Sequence, residues 1–327
     1  MEIISCFFML LSSSKERREC MDIRKETIKI SIAVSLAIIF LVLIVFFPRT
    51  PTITTSGGRA ETINYSYDFN YEEYKQNIST LFKDLNEEKS LGGTRYQFKS
   101  VEDELLHYFP KSLQVIIPAF ILSLLLGVWK GIFDYQHTNT KKNILGNGTT
   151  WLFQSIPDFF LVVFVFFIAI TFWPQLRLFS QGSWYSPLVV ILLISIYPVM
   201  FVARAVGVSL LAQDNADYIK VAKSKGLHTR QIIHRHMLKI SLKDLNTILP
   251  TLMVIILSNL LMVEYVTGYQ GAAYRLFIAL GGVQTSVATY LVPEYEGGLV
   301  LGIGLCFLLT ILLTHFLKLA VSWKISR

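Results

Sequence analysis

The sequence predicts an all-α, polytopic membrane protein with six transmembrane helices. Three observations carry this. Of 327 residues, 53% are hydrophobic and only 16% are charged, with a mean hydropathy of +0.49, which leaves too little polar surface for a soluble domain. Six continuous apolar runs reach about the 20 residues that a spanning helix needs. Lys and Arg gather in alternate connections between those runs, as they do where basic residues are retained in the cytoplasm.

The six runs are 28–47, 113–132, 151–173, 186–206, 247–266 and 298–321. They are unbroken rather than alternating, which favours helices over a barrel. Basic residues crowd the N-terminal stretch (Lys15, Arg17, Arg18, Arg24, Lys25, Lys29), the second connection (Lys130, Lys141, Lys142) and the fourth (Arg204, Lys220, Lys223, Lys225, Arg230, Arg235, Lys239, Lys243). They return at the C-terminus with Lys318, Lys324 and Arg327, whereas the short connections between have only Arg177 and Arg275. Six spans put every basic region on one side, so both termini are expected in the cytoplasm. The net charge of +7 follows from this asymmetry and does not argue for nucleic acid.

Residues 1–27 read as a cytoplasmic tail. The run 3–11 is too short to span and no signal-peptidase site follows it. Met21 is an alternative start, since Met21-Asp-Ile-Arg-Lys leads directly into the first span. The three cysteines, Cys6, Cys20 and Cys306, have neither metal-ligand spacing nor the pattern of a disulfide framework.

Residues 48–111 form the one long extracytoplasmic loop. It opens on breakers, Pro48, Pro51, Gly57 and Gly58, and then carries Tyr71, Tyr74, Ile78, Leu81, Phe82 and Leu85 at helical spacing. A small helical cap over the outer mouth and a surface helix packed on neighbouring loops both fit. The Asn-x-Ser/Thr triplets at Asn64, Asn77 and Asn147 are read as chance matches.

Residues 112–327 form the core of five further spans, and the connection at 207–244 is its most informative part. It is far longer than a turn requires. Tyr218, Ile219 and Ala222 share one helical face with lysines opposite. Gly226 stands where a helix C-terminus needs a left-handed residue, and Thr229 can cap a second helix from Arg230 to Lys239. The expected product is a helix–Gly–helix hairpin at the membrane surface. Physics alone leaves open whether it rests on anionic lipid or engages a protein.

The run Asp217-Tyr-Ile-Lys-Val-Ala-Lys-Ser-Lys-Gly-Leu, followed by Arg235-His-Met-Leu-Lys, resembles the coupling loop of ABC importer permeases. The resemblance is to the dipeptide, oligopeptide and nickel type, and to its first permease subunit. Leu91-Gly-Gly-Thr-Arg-Tyr, Val101-Glu-Asp-Glu-Leu-Leu and Phe109-Pro-Lys-Ser-Leu are similar to that family's entry into its second span. Ser155-Ile-Pro-Asp-Phe-Phe resembles the opening of its third, and Val263-Glu-Tyr-Val the end of its fifth. Two departures stand out. Lys243-Asp244 replaces a Leu-Pro, and Gln270-Gly-Ala-Ala replaces a Pro-Gly-Leu-Gly run so that only Gly271 survives.

The resemblance implies a transport subunit with no catalytic residues of its own. It implies coupling to the ATPase through Asp217, Tyr218, Ala222, Lys223, Gly226 and Leu227, with small Ala222 and Gly226 allowing close approach and Tyr218 as anchor. The implied partners are a second homologous permease, two ATP-binding subunits, an extracytoplasmic solute-binding lipoprotein and the bilayer. No phosphate-binding Gly-x-x-x-x-Gly-Lys-Ser/Thr loop occurs, so ATP–Mg is expected on the partners and no cofactor or metal on this chain. The solute is expected to be peptide-like, with nickel or a metal chelate as the alternative. A membrane-embedded enzyme is the reading of another class, but neither a His-Glu-x-x-His nor a Gly-x-Ser-x-Gly motif supports it.

Within the spans, Glu264 and Gly271 are the pathway or gate candidates. The other reading of Glu264 is an interfacial carboxylate that meets Arg275 or solvent. Arg204 can snorkel, His315 has no second ligand near it in sequence, and Asp158 can cap a helix or pair with Lys141 or Lys142. Pro118, Pro157, Pro198 and Pro250 are each expected to interrupt a span. Gly298, Gly302 and Gly304 suit a close helix contact, with the partner permease as one occupant.

Overall fold

The structure, a computed structural model, describes residues 14–48, 52–56, 62–66, 68–87, 89–94, 100–138, 140–172, 184–281 and 295–326. The apolar run 3–11, Pro51, Gly57, Gly58 and Arg177 lie outside them. Among the described residues, five helices are long and apolar enough to cross a membrane, or six if one bent pair counts as a span.

Helix α1 (Ser14–Val45) contains the first span. A short antiparallel hairpin follows, β1 (Thr52–Ser56) and β2 (Thr62–Ser66), with Thr54 opposite Asn64. This hairpin is absent from the sequence reading, which saw only breakers there; the strand signal lies in its β-branched residues Thr52, Ile53, Thr54, Thr55, Thr62 and Ile63. Helix α2 (Tyr71–Glu87) is the helix expected from the apolar spacing. Its buried residue Leu81 anchors it. Tyr74 donates from its hydroxyl to the Leu43 carbonyl at 3.2 Å, and Asn77 from its amide to the Phe46 carbonyl. Asn77 is thereby occupied inside the chain.

Helix α3 (Val101–Gln136) begins well before the expected residue 113. Ser100 and Asp103 explain the early start: the Asp103 amide donates to Ser100 Oγ at 3.2 Å, and the Asp103 carboxylate accepts from the Ser100 hydroxyl at 2.9 Å. The Glu102 carboxylate accepts from the Leu91 amide at 2.7 Å and the Ser90 hydroxyl at 2.8 Å, which holds the preceding loop to this helix.

The expected third span at 151–173 is two helices, α4 (Asn147–Ser155) and α5 (Asp158–Phe172), bent by 100°. Pro157 is the cause. It lacks an N–H, and it drives Ile156 into extended geometry at φ −91°, ψ 132°. Asp158 opens α5 and accepts from the Phe159 amide at 2.9 Å. Pro118 and Pro198 do not interrupt their helices, contrary to expectation; both lie inside continuous ones. Pro250 sits in the first turn of its helix, where a missing N–H costs nothing.

Helices α6 (Ser186–Ala212) and α10 (Leu249–Thr267) are the most buried spans and pack on each other. Between them lie α7 (Asp217–Ser224), α8 (Thr229–Ile232), a π-helical turn at Ile233–Met237 and α9 (Leu238–Thr247). After α10 come the short α11 (Ala272–Ala279) and the last span, α12 (Gly297–Ser326).

The chain divides into two compact units. One comprises Met1–His107 and Ile278–Cys306, the other Tyr108–Phe277 and Phe307–Arg327. In the first unit a Cβ on Gly298 would strike the Leu91 carbonyl, and Cβ atoms on Gly302 and Gly304 would crowd Leu105 and Leu41. These glycines therefore serve the close contact expected of them, and the occupant is this chain's own Leu91, Leu105 and Leu41. In the second unit Gly127 and Gly131, a small-residue pair at i, i+4, let α3 approach Val202 and Val206 of α6. The core of this unit runs from Val115 and Ile116 through Ile194 and Leu210 to Leu252 and Ile256. It also takes in Ile219, Ala222, Ile232, Ile233 and Met237, so the 213–247 connection is part of the packed body.

Candidate functional site: a locked helical hairpin and a buried carboxylate

Helix α7 is eight residues long, too short to be stable alone in water. Its ends and its buried face hold it. Ala216 precedes it in extended geometry, with φ −65° and ψ 142°. Ile219 and Ala222 are buried in the core cluster that also holds Ile232 of α8 and Ile233 and Met237 of the π turn. At the C-terminus Gly226 has φ +78°. The Gly226 amide donates to the Lys223 carbonyl at 3.0 Å, and the Leu227 amide to the Ala222 carbonyl at 3.3 Å. These two bonds make a Schellman motif, the closure that a left-handed glycine permits. Gly226 thus takes the conformation expected from its position.

The second helix begins one residue earlier than expected. His228, not Thr229, precedes its first turn, with φ −65° and ψ 147°, and the Gln231 side chain accepts from the His228 amide at 3.3 Å. A single left-handed residue and an extended one therefore carry the whole reversal between α7 and α8.

The structure sorts the sequence-predicted residues by exposure. Asp217, Tyr218, Lys223 and Gly226 are on the outer surface of the hairpin and Leu227 is half-buried. Ala222 is only 6% exposed and faces the chain's own core, so it seats α7 and is not available to a docking protein. Asp217 pairs with Lys220 at 3.0 Å, but both side chains are largely in solvent, and such a pair adds little stability. Tyr218 donates from its hydroxyl to Gln213 Oε1 at 2.6 Å. Partial burial pushes its phenol above the usual value, so it keeps the proton it donates.

The sequence reading missed Val221, an apolar side chain left 53% exposed on α7. Its helical offset from Tyr218, three residues, was the available signal. It also missed Gln213, which is buried at the end of α6.

Glu264 and Gly271 come together, but Glu264 is not an interfacial carboxylate open to solvent. It is fully buried. Its Oε1 accepts from the Ser112 hydroxyl at 2.6 Å and its Oε2 from the Tyr274 amide at 2.9 Å. Ser112 Oγ in turn accepts from the Ala272 amide at 2.8 Å. The carboxylate and the hydroxyl together take up the free amides that open α11, where negative charge is favoured. A Cβ at Gly271 would overlap the Glu264 carboxylate, so the residue here must be glycine for the carboxylate to occupy this place. Among the described residues no group of three or more His, Cys, Asp or Glu side chains is arranged to hold a metal.

A third cluster fixes α4. Lys130 Nζ lies 2.5 Å from Asp134 Oδ1 and donates to Thr150 Oγ1 at 3.1 Å and to the Gly146 carbonyl at 3.0 Å. Thr150 donates to Asp134 Oδ2 at 2.6 Å. From the other side Arg204 donates to Gln154 Oε1 at 2.7 Å, and Gln154 to the Met200 carbonyl at 2.8 Å. Arg204 therefore has a protein partner, beyond the snorkelling expected of it.

Comparison with known proteins bears on this arrangement. The dipeptide transport system permease protein DppB of Bacillus subtilis (strain 168) is 29% identical over 175 residues, 53% of this chain and 56% of that protein. The oligopeptide transport system permease protein OppB of Escherichia coli (strain K12) is 28% identical over 187 residues, 56% of this chain and 60% of that protein. The matched stretch is under two thirds of the length of either relative. A solved structure of the MetNI methionine ABC transporter, in an inward-facing conformation, shares the fold: the TM-score is 0.52 at 15% identity, over 68% of this chain and 96% of that one. The family described as binding-protein-dependent transport system inner membrane component matches residues 123–327, from within α3 to the C-terminus, and this chain belongs to it.

Proposed function

We propose that this chain is the membrane-spanning permease subunit of an ATP-driven importer. The observation that carries the proposal is the 213–247 hairpin. Its first helix is locked by a Schellman closure at Gly226, seated by Ile219 and Ala222, and left with Tyr218 and Val221 exposed. In a chain of this family such a rigid projection is suited to receive force from a separate protein. Anionic lipid would need the lysines but has no use for so specific a closure.

In this reading the hairpin and both termini are cytoplasmic and the segment from β1 to α2 is outside. Helix α7 docks on one of two ATP-binding subunits, which hold ATP–Mg and carry out the hydrolysis. A second homologous permease completes the pathway, and a solute-binding lipoprotein delivers cargo. The names of the relatives favour a peptide-like solute over a metal chelate. The test is co-purification followed by reconstitution. The chain should carry ATP-binding proteins with it, and proteoliposomes of the complex should take up labelled di- or oligopeptides only with ATP. Uptake by this chain alone would contradict the assignment.

A further inference from the structure

A buried chain of hydrogen bonds links the exposed face of α7 to two other helices. Tyr218 donates to Gln213 Oε1 at 2.6 Å. The Gln213 amide donates to Ser241 Oγ of α9 at 3.2 Å and to the Ser209 carbonyl of α6 at 2.9 Å. Ser209 and Ser241 hydroxyl oxygens are 3.1 Å apart, and Ser209 donates to Asp244 Oδ2 at 2.5 Å. Each hydroxyl has one proton. The Asp244 carboxylate takes that of Ser209, so Ser241 donates to Ser209. The order is then fixed: Tyr218 to Gln213, Gln213 to Ser241, Ser241 to Ser209, Ser209 to Asp244. Gln213, Ser209 and Ser241 are all at least nine-tenths buried. One residue on, Asp214 Oδ1 accepts from the Tyr135 hydroxyl of α3 at 2.7 Å.

We propose that Gln213 is the positioning residue through which movement of the docking helix reaches the spans. This rests on the docking role of α7 proposed above. Helix α7 packs on α8, and its buried Ile219 and Ala222 join the core cluster of this unit. Gln213 is where a side chain of α7 meets both α6 and α9, and α9 leads directly into α10. An amide with one acceptor and two donors is suited to this: it holds Tyr218 with its oxygen and both helices with its nitrogen. The middle of the network, Gln213, Ser209 and Ser241, is buried, so breaking the bonds among these three strands polar groups away from water and favours one geometry. Displacing Tyr218 therefore moves α6 and α9 together. The Lys243-Asp244 pair, a departure from the family's Leu-Pro, supplies the carboxylate on which the chain ends.

The test uses the complete transporter, co-expressed with its partner subunits, with Cys6, Cys20 and Cys306 replaced by serine. Environment-sensitive fluorophores are placed on single cysteines at Lys225, beside α7, and at Val254, on the exposed side of α10. ATP with orthovanadate is the probe. In the unaltered protein both labels respond. In Gln213→Leu, which removes three hydrogen bonds, the Lys225 response persists, while the Val254 response falls by more than the roughly fivefold expected for one buried hydrogen bond. Ser241→Ala, which removes a single buried hydroxyl, gives a smaller loss in the same direction and carries the test if Gln213→Leu fails to insert. Equal responses at Val254 in variant and unaltered complexes overturn the proposal. Silence at both labels in the unaltered complex overturns the docking reading itself and this assignment with it.

Discussion

The Ser112 hydroxyl donates to Glu264 Oε1 across 2.6 Å, although 152 residues separate them in sequence. Glu264 at the same time caps α11 through the Tyr274 amide. Three groups depend on this one carboxylate: a hydroxyl, a helix start and the glycine packed on it. Glu264→Ala leaves Ser112 and the Tyr274 amide without their acceptor, at a cost of about 1–3 kcal/mol for each buried group. Glu264→Gln keeps an acceptor and should lose less. Thermal unfolding of the purified protein in nanodiscs measures the order, with Ala expected below Gln and Gln below the unaltered chain.

Gly271→Ala should destabilise by overlap with the same carboxylate. Combined with Glu264→Ala it should cost less than the two single changes added together, since the atoms it strikes are gone. A double-mutant cycle reads this coupling directly. Strict additivity would show that the two residues are independent.

Lys130→Met should be among the most damaging single changes. It leaves Asp134, only 1% exposed at its side chain, without its cation, at about 3–5 kcal/mol. The double change Lys130→Met with Asp134→Leu should recover much of that loss, because the desolvated charge is gone. The quantity to compare is the yield of folded protein from membranes, or its melting temperature.

At Gly226 nothing lies within 4 Å of where a Cβ would be, so any penalty is one of backbone conformation. Gly226→Val should cost on the order of 1–2 kcal/mol, and Gly226→Asn less, since asparagine tolerates the left-handed region. Uptake by the reconstituted complex should follow that order at constant membrane level. Lys223→Ala, on the solvated surface, should change uptake little. The reverse ranking would favour a hairpin that only rests on anionic lipid.

Most of the helices were legible because apolar length and helical spacing are local properties. Residues 71–85 announce α2, and Gly226 announces the reversal between α7 and α8. The break in the third span was less visible. Pro157 is one of four prolines expected to interrupt a span, and sequence alone does not tell it from Pro118 and Pro198, which their helices absorb. The difference is the extended backbone at Ile156, before Pro157, against the unbroken helices through Pro118 and Pro198. The β1–β2 hairpin was hidden by the breakers around it. For the sites, the residue types were readable but their orientation was not. Ala222 and Val221 are adjacent in sequence, and only tertiary packing decides that Ala222 is buried and Val221 exposed. Ser112 as partner of Glu264, and Gln213 as partner of Tyr218, are matters of tertiary geometry that no local pattern encodes.

The claim that α7 is a docking helix is tested most directly by photocrosslinking from Val221, its exposed apolar residue. A photoreactive amino acid at Val221, in cells expressing the whole transporter, should join this chain to an ATP-binding protein. The same probe at Val163, exposed on the apolar surface of α5, should not. Crosslinks from Val221 to lipid alone, with none to an ATP-binding protein, would contradict the account.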